Sequence, residues 1–295
     1  MRIFYDCEVF RYQSVGGINR YFENVIPNLP ANFKPTLLAT LESDVSQVRH
    51  PNLRVSRYGI ERLQDFSYRL NKFLTKVERD SWDRMSRIRR FDLAHPTYYW
   101  PITGGKITDY RCPLVITVWD MNYELFGPGY LDPTGERTEL KRKAIMAADR
   151  LICISENTKQ DLMRLFSIPE DRIAVTYLAT HLHVGMAHGP ETVPMRSYYL
   201  FVGTRHQHKN FRLLLEAFAK AVSLKPDLYL CLVSHPALND EEKKMVVDLK
   251  LENNIEECGT VSDEHLAKLY RHSIALVYPS LYEGFGLPPL EAMAC

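Results

Sequence analysis

Features that would mark a secreted, membrane or metal-binding protein are missing from this chain of 295 residues. Its six cysteines are scattered, and none forms a Cys-x-x-Cys pair or a cysteine–histidine metal spacing. No stretch approaches the ~20 apolar residues that a membrane-spanning helix needs. The opening segment MRIFYDCEVF carries Asp6 and Glu8, which do not fit a signal peptide. We therefore expect a soluble or at most peripheral cytoplasmic protein with reduced thiols.

An excess of charge of one sign is also missing. The 37 basic and 36 acidic residues leave a formal net charge of +1. This balance provides no general attraction to nucleic acid or to acidic partners, so an anion site must be local. The basic run Arg84–Arg90 is interpreted as a solvated helix end rather than a membrane patch. Neither the GxxxxGK[ST] nor the GxGxxG phosphate motif occurs.

What the sequence does contain is a regular alternation of short aliphatic runs with longer amphipathic ones. Continuous apolar runs such as LVITV (114–118) are typical of parallel strands covered by helices on both faces. We therefore predict an α/β fold with two doubly wound domains. Their predicted bounds are 1–185 and 198–295, joined by a linker over 186–197.

The individual elements follow from the same alternation. Strands are predicted at 2–5, 36–39, 53–56, 92–95, 114–118, 150–154, 172–177, 198–202, 228–233, 255–257 and 274–278. Helices are predicted at 18–29, 60–90, 136–148, 156–165, 210–222, 240–251 and 263–271.

One candidate site follows the strand at 198–202. There Gly203 permits a tight turn, and Arg205 and Lys209 precede a helix. Two cations beside a helix N-terminus suit a diphosphate, because the helix dipole and free N–H groups add to their charge. A solvated loop that happens to be basic explains the same residues.

A second, more specific segment is YEGFGLPPLEAMAC (282–295). Glu283 falls in a loop and Glu291 in the helix that Pro288 or Pro289 begins. Glycines on either side of Phe285 permit close approach of the backbone to a ligand. Carboxylates at these positions would accept hydrogen bonds from sugar or ribose hydroxyls. Helix capping explains the glutamates as well, but it leaves the glycine pair unexplained.

The first half offers a third, weaker candidate. Gly16 and Gly17 lie between the first strand and a helix, and Asp120 ends the buried strand at 114–118. A tight connection and a turn-forming aspartate account for these residues equally well.

Taken together, these segments resemble the family-4 glycosyltransferases, which have the GT-B fold. The segment EGFGLPPLEAMAC matches the paired-glutamate motif of that family, and VGTRHQHKNFRLLLEAF its phosphate-binding segment. Further matches are AADRLICISENTKQDLMRLFSIPEDRIAVTYL, at the end of its first domain, and CGTVSDEHLAKLYRHSIALVYPS, before the glutamate pair. The resemblance covers nearly the whole chain and implies two Rossmann-like domains facing a cleft.

The resemblance also implies roles for particular residues. Arg205 and Lys209 would hold the donor diphosphate, Glu283 the transferred sugar and Glu291 the ribose. The backbone of 284–287, at Gly284, Phe285, Gly286 and Leu287, would lie against sugar and phosphate, with Gly203 nearby and Val261 beside the base. Gly16, Gly17 and Asp120 would serve the acceptor side.

The implied reaction is retaining transfer of a hexose from a nucleotide-diphosphate sugar, of the GDP-mannose or UDP-glucose type, to a saccharide or lipid-linked acceptor. Cell-surface polysaccharide assembly at the inner membrane face is the expected setting. Neither cofactor nor metal is expected, since two cations would stabilise the leaving diphosphate. Trp119 departs from the family pattern, which often has histidine before the aspartate, and Tyr177–Ala179 replaces a common asparagine-glycine turn.

Family members usually continue beyond the helix in which Cys295 falls. The resemblance thus implies an incomplete second domain, an uncovered sheet edge and lower stability than a complete homologue. Two alternatives stay open. A non-catalytic remnant that binds a nucleotide or a partner predicts nucleotide binding without sugar transfer, or neither of the two. A retaining glycoside hydrolase would use Glu283 and Glu291 about 5–5.5 Å apart, but it leaves Arg205 and Lys209 without a purpose.

Overall fold

The computed structural model describes residues 1–12, 16–58, 91–127, 130, 132–188, 190 and 192–295. They form two compact units, Met1–Tyr177 and Leu178–Cys295. The helix predicted over 60–90, with its basic run, lies outside the described residues. The division falls before the linker predicted over 186–197, and Leu182 belongs to a core cluster of the second unit. The domain bounds of 1–185 and 198–295 stay a prediction.

Parallel strands form the centre of the first unit. They are β1 (Arg2–Asp6), β2 (Lys34–Thr40), β3 (Arg54–Tyr58), β4 (Leu93–Ala94), β5 (Val115–Val118), β6 (Arg150–Cys153) and β7 (Ile173–Val175). One parallel sheet has the order β3-β2-β1-β4 and another the order β5-β6-β7. A parallel bridge between Ala94 and Leu114 links them. β1 is buried from Ile3 through Asp6, on both faces, as the continuous apolar pattern predicts.

Helices follow these strands along the chain. The described ones are α1 (Glu8–Tyr12), α2 (Gly17–Val25), α3 (Asn122–Phe126), α4 (Glu136–Ala147) and α5 (Glu156–Phe166). α5 begins at Ser155, whose hydroxyl accepts a hydrogen bond from the Thr158 N–H, and ends at Ser167 in the left-handed region.

The second unit repeats the plan with a parallel sheet in the order β10-β9-β8-β11. Its strands are β8 (Tyr198–Val202), β9 (Tyr229–Val233), β10 (Ile255–Glu257) and β11 (Ala275–Leu276). Its helices are α6 (Phe211–Leu224), α7 (Asp240–Asp248), α8 (Asp263–His272) and α9 (Leu287–Ala294).

Separate apolar clusters cover both faces of this second sheet. On one face, the predicted apolar stripe of α6 packs against Phe201, Leu230 and Leu232 of the strands. On the other, Leu266 and Leu269 of α8 pack against neighbouring strand residues. The α/β, doubly wound architecture predicted from the alternation is thus confirmed. Within the described ranges, no helix is both long and apolar enough to cross a membrane.

Candidate functional site

The loops after β8, β9 and β11 lie at one edge of the second sheet, because these strands are parallel. Gly203 directly follows β8 and has a φ of 130°, a left-handed value that favours glycine, and its N–H donates to the Val233 carbonyl at 3.0 Å. A short 3-10 turn, Gln207–Lys209, then leads to Asn210, also left-handed, where α6 begins. This edge is where ligands bind in open α/β sheets.

Arg205 is held by the protein itself. Its Nε donates to Glu242 Oε1 at 2.9 Å, and its Nη2 donates to the carbonyls of Pro236 and Ala237, each at 2.8 Å. Its Nη1 donates to the Ser234 hydroxyl. Four of the five N–H groups of the guanidinium are therefore engaged, and the side chain is only 5% exposed. In this structure Arg205 stabilises the loop between β9 and α7 through these hydrogen bonds.

Lys209 and Glu283 meet directly. The Lys209 ammonium donates to Glu283 Oε1 at 2.5 Å and lies 5.5 Å from the centre of the Tyr278 ring. The two loops are also joined through their backbones, because the Leu281 N–H donates to the His208 carbonyl at 2.7 Å. Two residues 74 positions apart, predicted for one donor site, thus form an ion pair at the sheet edge.

Two tyrosines pack beside the paired glutamates. Burial, together with the Glu283 carboxylate, raises the pKa of Tyr278 well above its ordinary value. The Tyr270 hydroxyl donates to Glu291 Oε2 at 2.9 Å, and burial with this carboxylate raises the pKa of Tyr270 in the same way. Both phenols therefore stay protonated and able to donate at neutral pH.

The remaining predicted donor-side residues surround the start of α9. Gly286, with φ of 96°, is left-handed and directly precedes the helix. Gly284 is buried, whereas Phe285 and Leu287 are partly exposed. Val261 lies before α8 and packs against the cluster that contains Leu266. The structure places these residues in the second unit, and their contacts with a donor stay predictions.

The acceptor-side residues lie in the first unit. Gly16 is extended, with φ of 175°, and precedes Gly17, the first residue of α2. Ile18, the next residue, lines a pocket of about 70 Å³ together with Asp120. The structure thus brings the start of α2 and the end of β5 together. The other lining residues are Tyr98, Tyr99, Trp119, Asn122 and Tyr123.

Lys141, which the sequence analysis did not identify, holds the backbone of Asp120 in place. Its ammonium donates to the Asp120 carbonyl and to Glu124 Oε2, each at 2.7 Å, and it is fully buried. Its Nζ also lies 5.6 Å from the centres of the Tyr99 and Tyr123 rings. Within α4 the lysine stands in a charged KRK run, a pattern typical of a solvated face. No signal in the sequence alone identifies its buried partners.

Asp6, at the carboxyl end of β1, was also not singled out as a site residue. Both carboxylate oxygens accept the Ile102 N–H, at 3.0 and 3.1 Å, and Oδ2 also accepts the Tyr110 hydroxyl at 3.0 Å. Burial raises the pKa of Asp6 to about 7, against these hydrogen bonds and with help from the charge of Glu8. A carboxyl that titrates near neutrality thus lies at the carboxyl end of β1.

Two family models match the chain in sequence. The model described as "Glycosyltransferase Family 4" matches residues 15–184, and that described as "Glycosyl transferases group 1" matches residues 190–295. The first covers more than half of the chain.

Individual proteins are similar to the chain as well. O-antigen chain mannosyltransferase B of Escherichia coli is 32% identical over 163 residues, which is 52% of this chain and 43% of that protein. O-antigen chain mannosyltransferase RfbU of Salmonella typhimurium is 29% identical over 195 residues, 63% of this chain and 52% of that protein. The chain thus spans about half the length of these relatives.

Among solved structures, sucrose-phosphate synthase from Thermosynechococcus elongatus superposes with a TM-score of 0.72 at 19% identity. The superposition covers 100% of this chain and 79% of that one. At this identity the likeness concerns the fold.

Proposed function

Because the chain belongs to glycosyltransferase family 4 and has the GT-B fold, we propose that it transfers a hexose from a nucleotide-diphosphate sugar to a saccharide or lipid-linked acceptor, with retention of configuration. The observation that carries this proposal is the ion pair between Lys209 and Glu283, at the edge of a parallel sheet. An ammonium beside a carboxylate suits a donor with an anionic diphosphate and a hydroxylated sugar.

The chemistry follows from where charge develops. Breaking the anomeric C–O bond leaves negative charge on the departing diphosphate and positive charge on the sugar. Lys209 would stabilise the first of these, which grows in the transition state, so that it supports catalysis as well as binding. Glu283, released from Lys209 by the diphosphate, would accept hydrogen bonds from the sugar hydroxyls. The acceptor would attack on the face that the diphosphate leaves, with a diphosphate oxygen taking its proton.

Arg205 keeps its proposed place beside the diphosphate, in a different manner from Lys209. Four of its N–H groups bind acceptors among the described residues, and the second N–H of Nη1 would donate to a phosphate oxygen. Its buried charge would still act on the site at short range. We propose no metal and no further cofactor for the transfer.

The other assignments complete the proposed site. Glu291 would bind ribose hydroxyls, held in place by Tyr270, and Val261 would lie beside the base. Backbone N–H groups of 284–287, with Gly203, would meet phosphate and sugar. Gly16, Gly17 and Asp120 would serve the acceptor.

The relatives guide the choice of donor and setting. Two of them are named O-antigen chain mannosyltransferases, which favours GDP-mannose over UDP-glucose and favours polysaccharide assembly at the inner face of the membrane.

Calorimetric titration with GDP, UDP and ADP tests the donor site. We expect one nucleotide to bind, and Lys209→Ala to weaken it about tenfold, the value of one charge-assisted hydrogen bond. Glu283→Gln should leave the affinity equal or higher, because it removes the carboxylate that competes for the ammonium. The exposed Lys220 on α6 provides a matched control, and Lys220→Ala should change nothing.

Opposite effects of the two substitutions would support the ion pair as the diphosphate site. If none of the nucleotides binds to the folded wild-type chain, the non-catalytic reading is correct. If Lys209→Ala and Lys220→Ala have the same small effect, the diphosphate lies elsewhere. Release of sugar from a glycoside without nucleotide would favour the hydrolase instead.

A further inference from the structure

Two cysteines of the second unit meet on one side of its sheet. Cys231 lies within β9, and Cys258 directly follows β10. Their sulfur atoms are 2.7 Å apart, which is closer than two non-bonded sulfur atoms normally approach. Because a disulfide bond is about 2.05 Å long, the two sulfurs need to move together by only about 0.7 Å to form one.

The pairing of β9 with β10 explains why the two thiols meet. Glu256 is the register partner of Cys231, and side chains two residues apart along a strand share a face of the sheet. Cys258 is therefore the diagonal neighbour of Cys231 on one face, and its N–H donates to the Leu232 carbonyl at 2.9 Å. Since Cys258 lies past the end of β10, a small movement of its side chain leaves the strand pairing intact.

The two thiols differ in their access to solvent. Cys231 is fully buried, whereas Cys258 is partly exposed. The hydrogen bond between them lowers the pKa of the Cys258 thiol, against the effects of burial and of the Glu256 charge. The same bond raises the pKa of the Cys231 thiol, and burial raises it further. A partly exposed thiol with a lowered pKa beside a second thiol is the arrangement of peroxide-sensitive cysteines.

The other four cysteines differ from Cys258. Cys7 and Cys153 are buried, and burial raises the pKa of each thiol. Cys112 and Cys295 are partly exposed, as Cys258 is, but burial and neighbouring carboxylates raise the pKa of their thiols. These two therefore serve as controls for exposure within the same molecule.

We propose that Cys258 is a peroxide-reactive thiol and that Cys231 is its resolving partner, so that the pair forms a reversible disulfide. The Cys258 thiolate attacks one oxygen of hydrogen peroxide and the O–O bond breaks, which leaves a sulfenic acid and a hydroxide that takes up a proton to become water. The Cys231 sulfur then attacks the sulfenic sulfur, and its proton leaves with the hydroxyl as a second water. The two thiols lose two electrons, and the peroxide gains them.

This redox site goes beyond the proposed sugar transfer and does not depend on it. The sequence predicts thiols that are reduced at rest, so the disulfide is a transient state that a thiol reductant reverses. A metal would need further ligands, and among the described residues no group of three metal-binding side chains occurs. Val261, in the segment before α8, packs against the same apolar cluster as both cysteines, so the disulfide would join this segment to β9.

Mass spectrometry of the whole chain tests the proposal. The reduced protein is treated with hydrogen peroxide, alkylated, and digested with trypsin without reduction. Trypsin cleaves after Lys243 and Lys250, so the two cysteines fall in different peptides that only a disulfide joins. We expect the joined peptide to form about tenfold faster than the Cys112 or Cys295 thiol is oxidised, and dithiothreitol to separate it again. This comparison needs no variant, so it does not depend on whether a variant folds.

Substitutions separate the attack from the resolving step. In Cys231→Ala we expect Cys258 to be oxidised still, but to persist as a sulfenic acid that dimedone labels. Alanine suits this buried position because cysteine there acts as a small apolar side chain. Cys258→Ala should abolish both the joined peptide and the dimedone label. Cys112→Ala is the matched control for a partly exposed cysteine, and it should leave the rate of disulfide formation unchanged.

The proposal is overturned if Cys258 reacts no faster than Cys112 and Cys295, or if the joined peptide contains Cys295 in place of either cysteine. It is also overturned if Cys258 of the wild-type chain accumulates as sulfenic acid without forming the disulfide. Nucleotide titration of the reduced protein does not depend on these outcomes, so a failure here leaves the proposed function standing.

Discussion

Arg205 shows how a single side chain can serve stability and function together. Its guanidinium bonds to Glu242, Ser234 and two backbone carbonyls. Arg205→Ala would leave a partly buried carboxylate and two carbonyls without their donors, so we expect the free energy of unfolding to fall by about 3 kcal/mol. Urea denaturation followed by circular dichroism measures this loss.

The exposed Arg212 is the control for that experiment. It pairs with Glu216 one helical turn away and is 79% exposed, so Arg212→Ala should cost less than about 1 kcal/mol. Equal losses for the two variants would show that the Arg205 network does not stabilise the fold. Because Arg205→Ala perturbs the loop, Lys209→Ala is the cleaner probe of nucleotide binding.

Asp6 makes the stability of the chain depend on pH. Its pKa is raised from 3.8 to about 7 in the folded state. Between these values the unfolded chain releases a proton that the folded chain keeps, so stability falls as pH rises from about 4 to about 7. By linkage, the full effect is about 4 kcal/mol. Below this window the carboxyl is protonated in both states and has no such effect.

Asp6→Asn removes that titration. The difference in unfolding free energy between wild type and Asp6→Asn should therefore change across this pH window and stay constant above it. Urea denaturation of both proteins at several pH values checks this. A constant difference at every pH would mean that Asp6 ionises in the folded state as it does in the unfolded chain.

At the level of single residues, the sequence predicted both partners of the ion pair as site residues, but not the residues that contact the other site side chains. Lys209 and Glu283 were both assigned to the donor diphosphate and sugar, and the structure joins them. The partners of Arg205 come from the loop after β9 and from α7, and no sequence motif identifies them. Lys141 was not predicted as a site residue, because its burial depends on Glu124 and on the Asp120 carbonyl, which lie in another part of the chain.

At the level of elements, strands and long helices were predictable, whereas the shortest helices were not. β8 and β10 have the predicted bounds, and α6 differs from its prediction by one residue at the start and two at the end. The five-residue helices α1 and α3 were missed. One turn and a half cannot display a 3.6-residue period, and hydrogen bonds to distant residues hold α1, as when Val9 donates to Thr97 at 3.1 Å.

The start of α9 depends on the conformation of Gly286. A Cβ there would meet Pro289 at 3.9 Å, an ordinary contact, so the cost of a side chain comes from the left-handed φ of 96°. We expect Gly286→Ala to lower the free energy of unfolding by about 1–2 kcal/mol. Gly286→Asn should cost less, because asparagine tolerates this region better. Thermal denaturation of both variants is the measurement, and equal melting temperatures for alanine and glycine would contradict it.

At the level of the whole molecule, each compact unit has its own buried core. All three tryptophans, Trp82, Trp100 and Trp119, precede position 178, so tryptophan fluorescence does not report directly on the second unit. We expect a nucleotide at a hundredfold excess over its Kd to stabilise the second unit by about 2.7 kcal/mol. In urea, the circular dichroism transition should then shift while the tryptophan transition stays in place.

A tryptophan transition that moves equally with nucleotide would show instead that both units unfold as one.

The order of elements, the fold class and the family could all be recognised from sequence, because the pattern of parallel strands and the glutamate motif are local in the chain. The pocket that Asp120 lines could not be predicted from the sequence, because its lining residues come from three separate segments of the chain.

The hydrogen bond between the Leu281 N–H and the His208 carbonyl consists of main-chain atoms alone. Any residue other than proline at position 281 keeps this N–H donor, so the bond between the two loops does not depend on the side chain of Leu281. The side chain of Leu281 is 63% exposed and is therefore open to change. Position 281 is thus a place where evolution or a designed library can alter the surroundings of the ion pair while the backbone keeps its geometry.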